Sequence, residues 1–292
     1  MRRWLTWTAV TVAGLLVALI AYGTFVEPRL ILDTEREDVA LPRLGEEWEG
    51  AEVALIADLQ VGMWLANIGM MERSVDRIVE EQPDVILLGG DFIYGEDEPP
   101  GPKVDAVMEI LAPLVASGIP TYAVLGNHDY SADGADEMAR ALEDAGIPVL
   151  QNEAVPIPGP EGAEPLYVVG IGPVRPGLAD VDAALADVPD DASRLVLMHN
   201  PLSFPELPAG AAPLAVAGHT HCGQIALPFS QHWSWLGATA QEKIVADGWA
   251  EDGYGAVGNR LFVTCGLGFS VVPIRINAPP QVVFFDLRRG EG

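Results

Sequence analysis

Short apolar runs alternate with amphipathic stretches from Val53 onward, and this alternation constrains the fold more than any other feature of the chain. The runs Val53–Ala57 and Val85–Leu88 are too short for helices, and polar or glycine residues follow them, as expected for buried strands. Residues 67–81, which lie between these runs, space their apolar side chains as an amphipathic helix does. Strands that alternate with helices are typical of parallel sheets, so the sequence predicts an α/β domain.

The same patterns place the other elements of this domain. The predicted strands are Val53–Ala57, Val85–Leu88, Thr121–Leu125, Leu166–Ile171, Leu195–Met198, Leu214–Ala217, Leu261–Thr264 and Val282–Asp286. The predicted helices cover residues 67–81, 103–116 and 133–145. We find no internal repeat and no change of composition within residues 51–289, so the pattern indicates a single domain over this range.

An uncharged segment from Trp4 to Val26 precedes the domain and follows the pair Arg2 and Arg3. At about 1.5 Å per residue, a helix of this length crosses a hydrocarbon core of about 30 Å. We therefore predict one transmembrane helix, a membrane anchor over residues 1–26, followed by an extended tether and lead-in over residues 27–50.

Two alternatives to an uncleaved anchor stay open at this point. Ala21-Tyr22-Gly23 is similar to the small-residue site of a cleaved signal peptide, and the N-terminal arginine pair also fits a twin-arginine export signal. Those arginines favour a cytoplasmic N-terminus, whereas Arg29 and Arg36 on the other side weaken this bias. We predict that the bulk of the protein lies outside the cytoplasm.

The charge of the chain excludes one class of partner. Its formal net charge is −26, and it contains only two lysines, Lys103 and Lys243. A surface of this sign repels nucleic acid, and the sequence has no basic patch that would bind it. A phosphorylated substrate would then need a local positive centre, which metal ions can supply.

Polar motifs follow five of the predicted strands. They are Asp58-Leu59-Gln60, Gly90-Asp91, Gly126-Asn127-His128-Asp129, His199-Asn200 and Gly218-His219-Thr220-His221. A single Asp after a strand is more often a helix cap, and a single His is more often a hydrogen-bonded polar residue than a ligand. However, four of the five histidines of the chain lie in these motifs, which favours a shared metal site. Carboxylate, amide and imidazole groups together suit Mn, Fe or Zn.

The motifs GD, GNHD and GHTH, in this order with an upstream Asp-Leu and an intervening His, resemble the calcineurin-like metallophosphoesterase superfamily over residues 50–288. The N-terminal anchor, the loop GHTHCGQ and the ending GLGFSVVPIR resemble a bacterial branch whose members are exported or lie at the membrane, some of them linked to glycolipid metabolism. The resemblance implies a four-layer αββα sandwich that binds two divalent metal ions (Mn, Fe, Zn or Mg).

The resemblance also implies roles for individual residues. The ligands of the first metal would be Asp58, Gln60 and His221, those of the second Asn127, His199 and His219, and Asp91 would bridge both. His128 would face the substrate and either protonate the leaving oxygen or stabilise the phosphoryl charge. A metal-bound hydroxide would attack phosphorus in line, with both metals stabilising the charge that develops on oxygen.

Gln60 departs from the family pattern, in which this position is commonly a histidine. Because an amide oxygen is a neutral and poorer donor than imidazole, the first site should be weaker and harder, which favours Mn or Mg over Zn. Alternatively, Gln60 only hydrogen-bonds to a ligand, or the site binds metal without catalysis. The neighbouring Cys222 is interpreted either as a small residue in a tight turn or as a redox-active thiol, and its pairing with Cys265 cannot be deduced from the sequence.

The expected function is hydrolysis of a phosphate ester or pyrophosphate bond, most simply in a membrane lipid or glycolipid to which the anchor gives access. A pyrophosphatase of the UDP-diacylglucosamine type is one alternative, although its substrate would be cytoplasmic. The others are a non-catalytic membrane metal-binding protein and an extracytoplasmic phosphodiesterase that acts on small soluble esters.

Overall fold

The computed structural model of the chain describes residues 2–96, 98–159, 162–227, 230–235 and 247–290. Its helices are α1 (Arg2–Phe25), α2 (Glu27–Leu30), α3 (Ile68–Glu81), α4 (Pro100–Ser117), α5 (Asn127–Ser131), α6 (Ala135–Asp144) and α7 (Val181–Leu185). Its strands are β1 (Asp33–Pro42), β2 (Glu52–Ile56), β3 (Val85–Leu88), β4 (Thr121–Ala123), β5 (Glu153–Pro156), β6 (Leu166–Ile171), β7 (Ser193–Met198), β8 (Ala215–Ala217), β9 (Ala226–Leu227), β10 (Ser230–Ser234), β11 (Gly248–Trp249), β12 (Leu261–Val263) and β13 (Gln281–Gly290). Each strand and helix predicted within the domain is present, with small shifts at its ends.

Two mixed sheets organise the domain. The first has the strand order β1-β13-β2-β3-β4, and the second has the order β11-β12-β8-β7-β6-β5. In the first sheet β2, β3 and β4 run parallel, and in the second β12, β8, β7 and β6 run parallel. The antiparallel strands β5 and β11 lie at the edges of the second sheet.

The side chains of β2 show how the layers pack. Ala54 and Ile56 join an apolar cluster with helices α3, α4 and α6, while Val53 and Leu55 point the other way, into a cluster between the two sheets. This alternation is the two-residue period of a strand buried on both faces. The outer face of β7 and β8 packs in a third cluster with Val181 of α7. The predicted four-layer αββα sandwich is confirmed.

Strand β1 departs from the prediction of a tether over residues 27–50. It pairs in parallel with β13 along its whole length, from Asp33 opposite Gln281 to Pro42 opposite Gly290. Strand β13 pairs in turn with β2 in the antiparallel direction, so that β13 lies inside the first sheet. The segment is therefore part of the sheet.

Helix α1 belongs to a segment, Arg3–Leu30, that is long and apolar enough to cross a membrane. Among its described side chains, residues 3–22 are exposed, whereas Gly23 and Thr24 are buried. The Arg275 backbone N–H donates to the Gly23 carbonyl oxygen at 2.8 Å. A Cβ atom added to Gly23 would lie 2.6 Å from the Ile276 side chain, so only glycine fits this contact.

Glu35 of β1 lies among other carboxylates, which makes the stability of the fold dependent on pH. Partial burial, followed by the charges of Asp247, Asp33 and Glu37, raises the pKa of Glu35 from its ordinary value of 4.5 to about 7. The Gln281 amide donates to the Glu35 carboxyl group at 2.8 Å. The folded state thus holds this proton more tightly than the unfolded state does.

We expect Glu35→Gln to raise the thermal stability of the detergent-solubilised protein at pH 8 and to change it little at pH 4. A raised pKa gives stability that is complete below about pH 4.5 and is lost as the pH rises through about 7. Because Glu35 is partly exposed, solvent screening limits the gain to less than about 1 kcal/mol. The exposed variant Glu109→Gln controls for the loss of one acidic charge. A gain as large at pH 4 as at pH 8 would contradict this account.

Candidate metal centre

The predicted site residues all follow strands of the two sheets and meet at the carboxyl ends of the parallel strands, where α/β folds place their ligands. The first sheet supplies Asp58 and Gln60 after β2, Asp91 after β3, and Asn127 and His128 at the start of α5, after β4. The second sheet supplies His199 after β7 and His219 and His221 after β8.

Asp91 lies at the centre of this group and is buried. Its Oδ2 atom is 3.2 Å from His199 Nε2 and accepts a hydrogen bond from Gln60 Nε2 at 2.9 Å. Its Oδ1 atom accepts the backbone N–H of His128 at 2.7 Å. His219 Nδ1 lies 3.2 Å from His199 Nε2. Ligand atoms of Asp91, His199 and His219 all lie within 4.8 Å of one another, which is close enough to hold one ion.

Asp58, Gln60 and His221 form the other half of the group, and all three are buried. His221 Nε2 lies 3.7 Å from Asp58 Oδ1 and 3.4 Å from Gln60 Nε2. The Asp58 carboxylate accepts the His219 backbone N–H at 3.0 Å, which ties the loop after β8 to the loop after β2. The structure therefore brings Asp58, Gln60, His199, His219 and His221 together around Asp91, and Asn127 directly precedes His128, whose backbone N–H binds Asp91.

Two buried oxygens provide a test of whether these residues fit metal ions. Among the residues that the structure describes, the side-chain oxygens of Gln60 and Asn127 are buried without a hydrogen-bond partner, as are those of Asn67 and Ser203, which are not predicted ligands. Such a group costs about 1–3 kcal/mol unless something satisfies it. Both oxygens belong to predicted ligands, and a cation would satisfy them. The Gln60 NH₂ group points at Asp91 in this structure. Exchanging the amide nitrogen and oxygen would turn the oxygen toward the Asp91 carboxylate, which is favourable only with a cation between the two oxygens.

The pKa values of the two buried carboxylates also indicate that the site fits cations. Burial, followed by the neighbouring charge of Asp91, raises the pKa of Asp58 to about 6. Burial also acts to raise the pKa of Asp91, but the charge and hydrogen bond of His199 outweigh it and hold this pKa well below its ordinary value. Two carboxylates this close disfavour each other's ionisation, and cations remove that penalty. Two carboxylates, two amide oxygens and three imidazoles fit divalent ions such as Mn, Fe, Zn or Mg.

Neighbouring groups orient two of the histidines. His199 Nδ1 lies 2.8 Å from the Gly89 carbonyl oxygen, which only accepts, so Nδ1 carries a proton and Nε2 faces Asp91. Burial acts to lower the pKa of His199, but the charge and hydrogen bond of Asp91 outweigh it and raise this pKa to about 10, so a cation at Nε2 would have to displace a proton. Burial and the charge of Arg275 lower the pKa of His221 well below its ordinary value, so this ring is neutral. Arg275 Nη2 lies 3.3 Å from His221 Nδ1.

Several loops of the site adopt backbone conformations that non-glycine residues rarely take. The φ angles of Asp58, Gln60, Asp91, His219 and His221 are 56°, 55°, 55°, 74° and 49°. Left-handed backbone at such residues is unfavourable, and it persists where the surroundings enforce it, commonly at functional sites. The sequence patterns indicated where these loops begin but not their conformations.

His128 lies at the opening of the site. Its ring is partly exposed and packs on the Tyr94 ring, with 4.6 Å between the ring centroids. Burial lowers the pKa of His128 below its ordinary value, so the ring is neutral and can donate one N–H. Within the described part of the chain, no hydrogen bond engages this ring.

Asp129 supports the site, although it is not among the predicted site residues. Its buried carboxylate accepts four backbone N–H groups, from Gly126 at 2.8 Å, Asp91 at 3.1 Å, Phe92 at 2.9 Å and Ile93 at 3.0 Å. Burial and then the Asp91 charge raise the pKa of Asp129 to about 7, while the N–H donors act in the opposite direction. Its place as the last residue of GNHD was the only sequence signal for this support.

Cys222 and Cys265 form a disulfide that joins two loops beside the site. Cys222 directly follows His221, and the Cys265 carbonyl oxygen accepts a hydrogen bond from Arg275 at 2.9 Å. Arg275 also donates to the carbonyl oxygens of Gly268 and Ala278. This fully buried guanidinium therefore joins the loops next to His221 through hydrogen bonds. Neither the disulfide nor this role of Arg275 was predicted.

Comparisons with known proteins identify the family of the chain. A sequence profile described as calcineurin-like phosphoesterase matches residues 51–223. Phosphodiesterase YaeI of Escherichia coli is 30% identical over 241 residues, covering 81% of this chain and 82% of that protein. The metallophosphoesterase YkuE of Bacillus subtilis is 24% identical over 278 residues, covering 94% of this chain and 93% of that protein. The crystal structure of a dimetal phosphatase from Danio rerio is similar with a TM-score of 0.43 and 14% identity, covering 75% of this chain and 88% of that one. The chain belongs to the calcineurin-like phosphoesterase family and is a phosphoester hydrolase.

Proposed function

We propose that this hydrolase cleaves a phosphate ester or pyrophosphate bond in a membrane lipid or glycolipid, using two divalent metal ions with Mn favoured. The observation that carries the metal centre is the pair of buried oxygens without partners, on Gln60 and Asn127, within a ring of carboxylates and imidazoles. The observation that carries the membrane substrate is the apolar segment Arg3–Leu30, whose end packs on the same domain.

The residues divide into two sets of ligands in this proposal. Asp58, Gln60 and His221 would hold the first ion, Asn127, His199 and His219 would hold the second, and Asp91 would be shared, since its two oxygens face different partners. When bound, such ions neutralise phosphate charge and lower the pKa of water between them. The backbone N–H of His128 and the Gln60 amide keep Asp91 oriented.

His128 acts on the substrate rather than as a ligand. Its neutral, partly exposed ring can donate an N–H to the leaving oxygen or to a phosphoryl oxygen of a substrate at the opening of the site. The contact with Tyr94 fixes the plane of the ring. The anchor supports a location at the cell membrane, with the domain outside the cytoplasm.

We expect Gln60→His to bind metal at lower free Mn or Zn concentrations than the natural protein does, because imidazole is a better donor than an amide oxygen. Metal content per chain after dialysis against a series of free metal concentrations measures this, beside hydrolysis of bis-p-nitrophenyl phosphate. Unchanged metal affinity would indicate that residue 60 only hydrogen-bonds to Asp91. Activity restricted to the histidine variant would favour a non-catalytic metal-binding protein.

Two measurements test the substrate class and the side of the membrane. The first uses the full-length protein in phospholipid vesicles, and the second uses cells. We expect hydrolysis of bis-p-nitrophenyl phosphate to stop with a chelator and to return with added Mn. Protease protection in cells reports on which side the domain lies. A cytoplasmic domain would favour the pyrophosphatase of the UDP-diacylglucosamine type, and equal turnover of soluble and lipid esters would favour a general phosphodiesterase.

A further inference from the structure

Exposed apolar side chains gather where the anchor meets the domain. Trp64 is 62% exposed, Leu65 is 49% exposed and Val271 is 54% exposed. We propose that these three residues, called here the apolar collar, insert into the interface of the bilayer that α1 crosses and hold the opening of the active site at the lipid surface. The collar rests on the proposed function, since it requires α1 to span a membrane.

The length of α1 sets the level of the collar relative to the bilayer. A helix needs about 20 residues to cross the hydrocarbon core, and counting about that many from Trp4 leads to Gly23. Gly23 is also where the domain first packs on the helix, through the Arg275 N–H and the side chains of Ile274 and Ile276. The segment around Arg275 therefore lies at the level of the lipid headgroups, and Val271 lies only four residues before it.

The other loop of the collar is tied to the same end of the anchor. Arg29 of α2 donates to the carbonyl oxygens of Leu65 at 2.5 Å and Ala66 at 3.3 Å, and also to that of Thr24 at 3.0 Å. The Asn67 side chain donates to the Pro28 carbonyl oxygen at 2.9 Å. Trp64 and Leu65 therefore cannot move far from the point where the chain leaves the bilayer.

The chemistry of the collar suits a lipid interface. Two large apolar side chains at the tip of a fixed loop expose area that water disfavours, and Trp is enriched at the headgroup level of membranes. Phe25 and Leu30, on either side of the bilayer exit, are also exposed. Arg29 ties the collar loop to Thr24 at the end of the anchor, so the same bilayer is the occupant that we propose for this surface.

The collar also connects to the site. The loop that carries Trp64 and Leu65 begins at Gln60, whose carbonyl oxygen accepts the Met63 N–H at 3.2 Å. The Val271 N–H donates to the Tyr94 hydroxyl oxygen at 3.3 Å, and Tyr94 packs on His128. A phosphate at the headgroup level therefore lies near His128 without leaving the membrane surface, so the substrate is a lipid whose phosphodiester or pyrophosphate lies at the interface.

A label placed on the collar tests its depth directly. Both native cysteines form a disulfide, so Leu65→Cys introduces a single free thiol for an environment-sensitive nitrobenzoxadiazole label. Full-length protein is placed in palmitoyl-oleoyl phosphatidylcholine vesicles with or without spin-labelled lipid. We expect strong quenching at residue 65 and none at the matched Val257→Cys, where the natural side chain is 88% exposed in a different loop. No quenching at residue 65, or equal quenching at both positions, would overturn the collar.

Turnover provides a second test with two substrates that share a leaving group. We expect the double variant Trp64→Ser, Leu65→Ser to lower hydrolysis of p-nitrophenyl phosphatidate in these vesicles by about tenfold, as expected for losing part of the apolar insertion of two side chains. Hydrolysis of bis-p-nitrophenyl phosphate should stay unchanged, as should both activities of Val257→Ser. An equal loss on both substrates, or no loss on the lipid, would contradict the collar. If the natural protein hydrolyses neither substrate, the proposed function fails, while the quenching result still decides whether the collar inserts.

Discussion

Replacing Asp91 with alanine is expected to abolish hydrolysis of bis-p-nitrophenyl phosphate by the Mn-loaded full-length protein. Asp91 contacts His199, Gln60 and the His128 backbone at once, so its loss removes the shared ligand of both proposed ions. We expect a decrease of at least about a thousandfold, which corresponds to about 4 kcal/mol of transition-state stabilisation. Metal analysis of the same samples should show fewer ions per chain.

The control for this experiment is Asp105→Ala, which removes a carboxylate from the exposed face of α4. We expect Asp105→Ala to retain both its turnover and its metal content. Turnover by Asp91→Ala within tenfold of the natural protein would contradict the assignment of Asp91. A folded, metal-loaded natural protein without turnover would instead indicate a narrowly selective enzyme or a binding protein, and Gln60 would be the first residue to examine.

Replacing Asp129 with alanine is expected to cause the largest loss of stability among single changes near the site. The substitution leaves four backbone N–H groups without their acceptor in the protein interior. Each hydrogen bond to a charged acceptor contributes about 1.5–3 kcal/mol, although losses at one carboxylate are not additive. We expect the free energy of unfolding to decrease by at least about 3 kcal/mol, measured by urea denaturation in detergent.

The variant Asp129→Asn separates the charge from the shape of the side chain. Its carbonyl oxygen can still accept some of the N–H groups, but its NH₂ group must face the others, so we expect an intermediate loss of stability. Asp105→Ala again provides the control, because it also removes one carboxylate but leaves no donor unpaired. Equal stability of Asp129→Ala and Asp105→Ala would show that water replaces the carboxylate.

The sequence predicted strands such as β2, β3 and β8 well, because their residues are buried on both faces of a sheet and form continuous apolar runs. Strand β1 was not predicted, for two reasons. Its first half alternates half-buried with exposed residues. Its partner, β13, lies almost 250 residues away along the chain, as the pair Asp33 and Gln281 shows. Local pattern carries no information about such a partner. The same strand was therefore interpreted as a tether.

The site shows a similar division. Its predicted ligands follow strands, and the end of a strand is a local feature that a sequence displays. Asp129 and Arg275 act through hydrogen bonds to backbone groups of other loops. Because nearly every residue has the same backbone N–H and carbonyl groups, the sequence does not show which of them a side chain will bind. Gln60 and Asn127 were predicted only in part. The sequence indicated the residues, but only the structure shows that their side-chain oxygens lack hydrogen-bond partners.

The position of β13 inside the first sheet determines when that sheet can be completed. Translation makes α1 first and β13 long after the last ligand, His221, yet β13 separates β1 from β2, the strand that leads to Asp58. Residues 33–42 are made early but find their partner only when residues 281–290 dock between β1 and β2, so the first sheet is completed after every predicted ligand has been translated. Deleting residues 281–290 would therefore leave β1 without a partner in the first sheet.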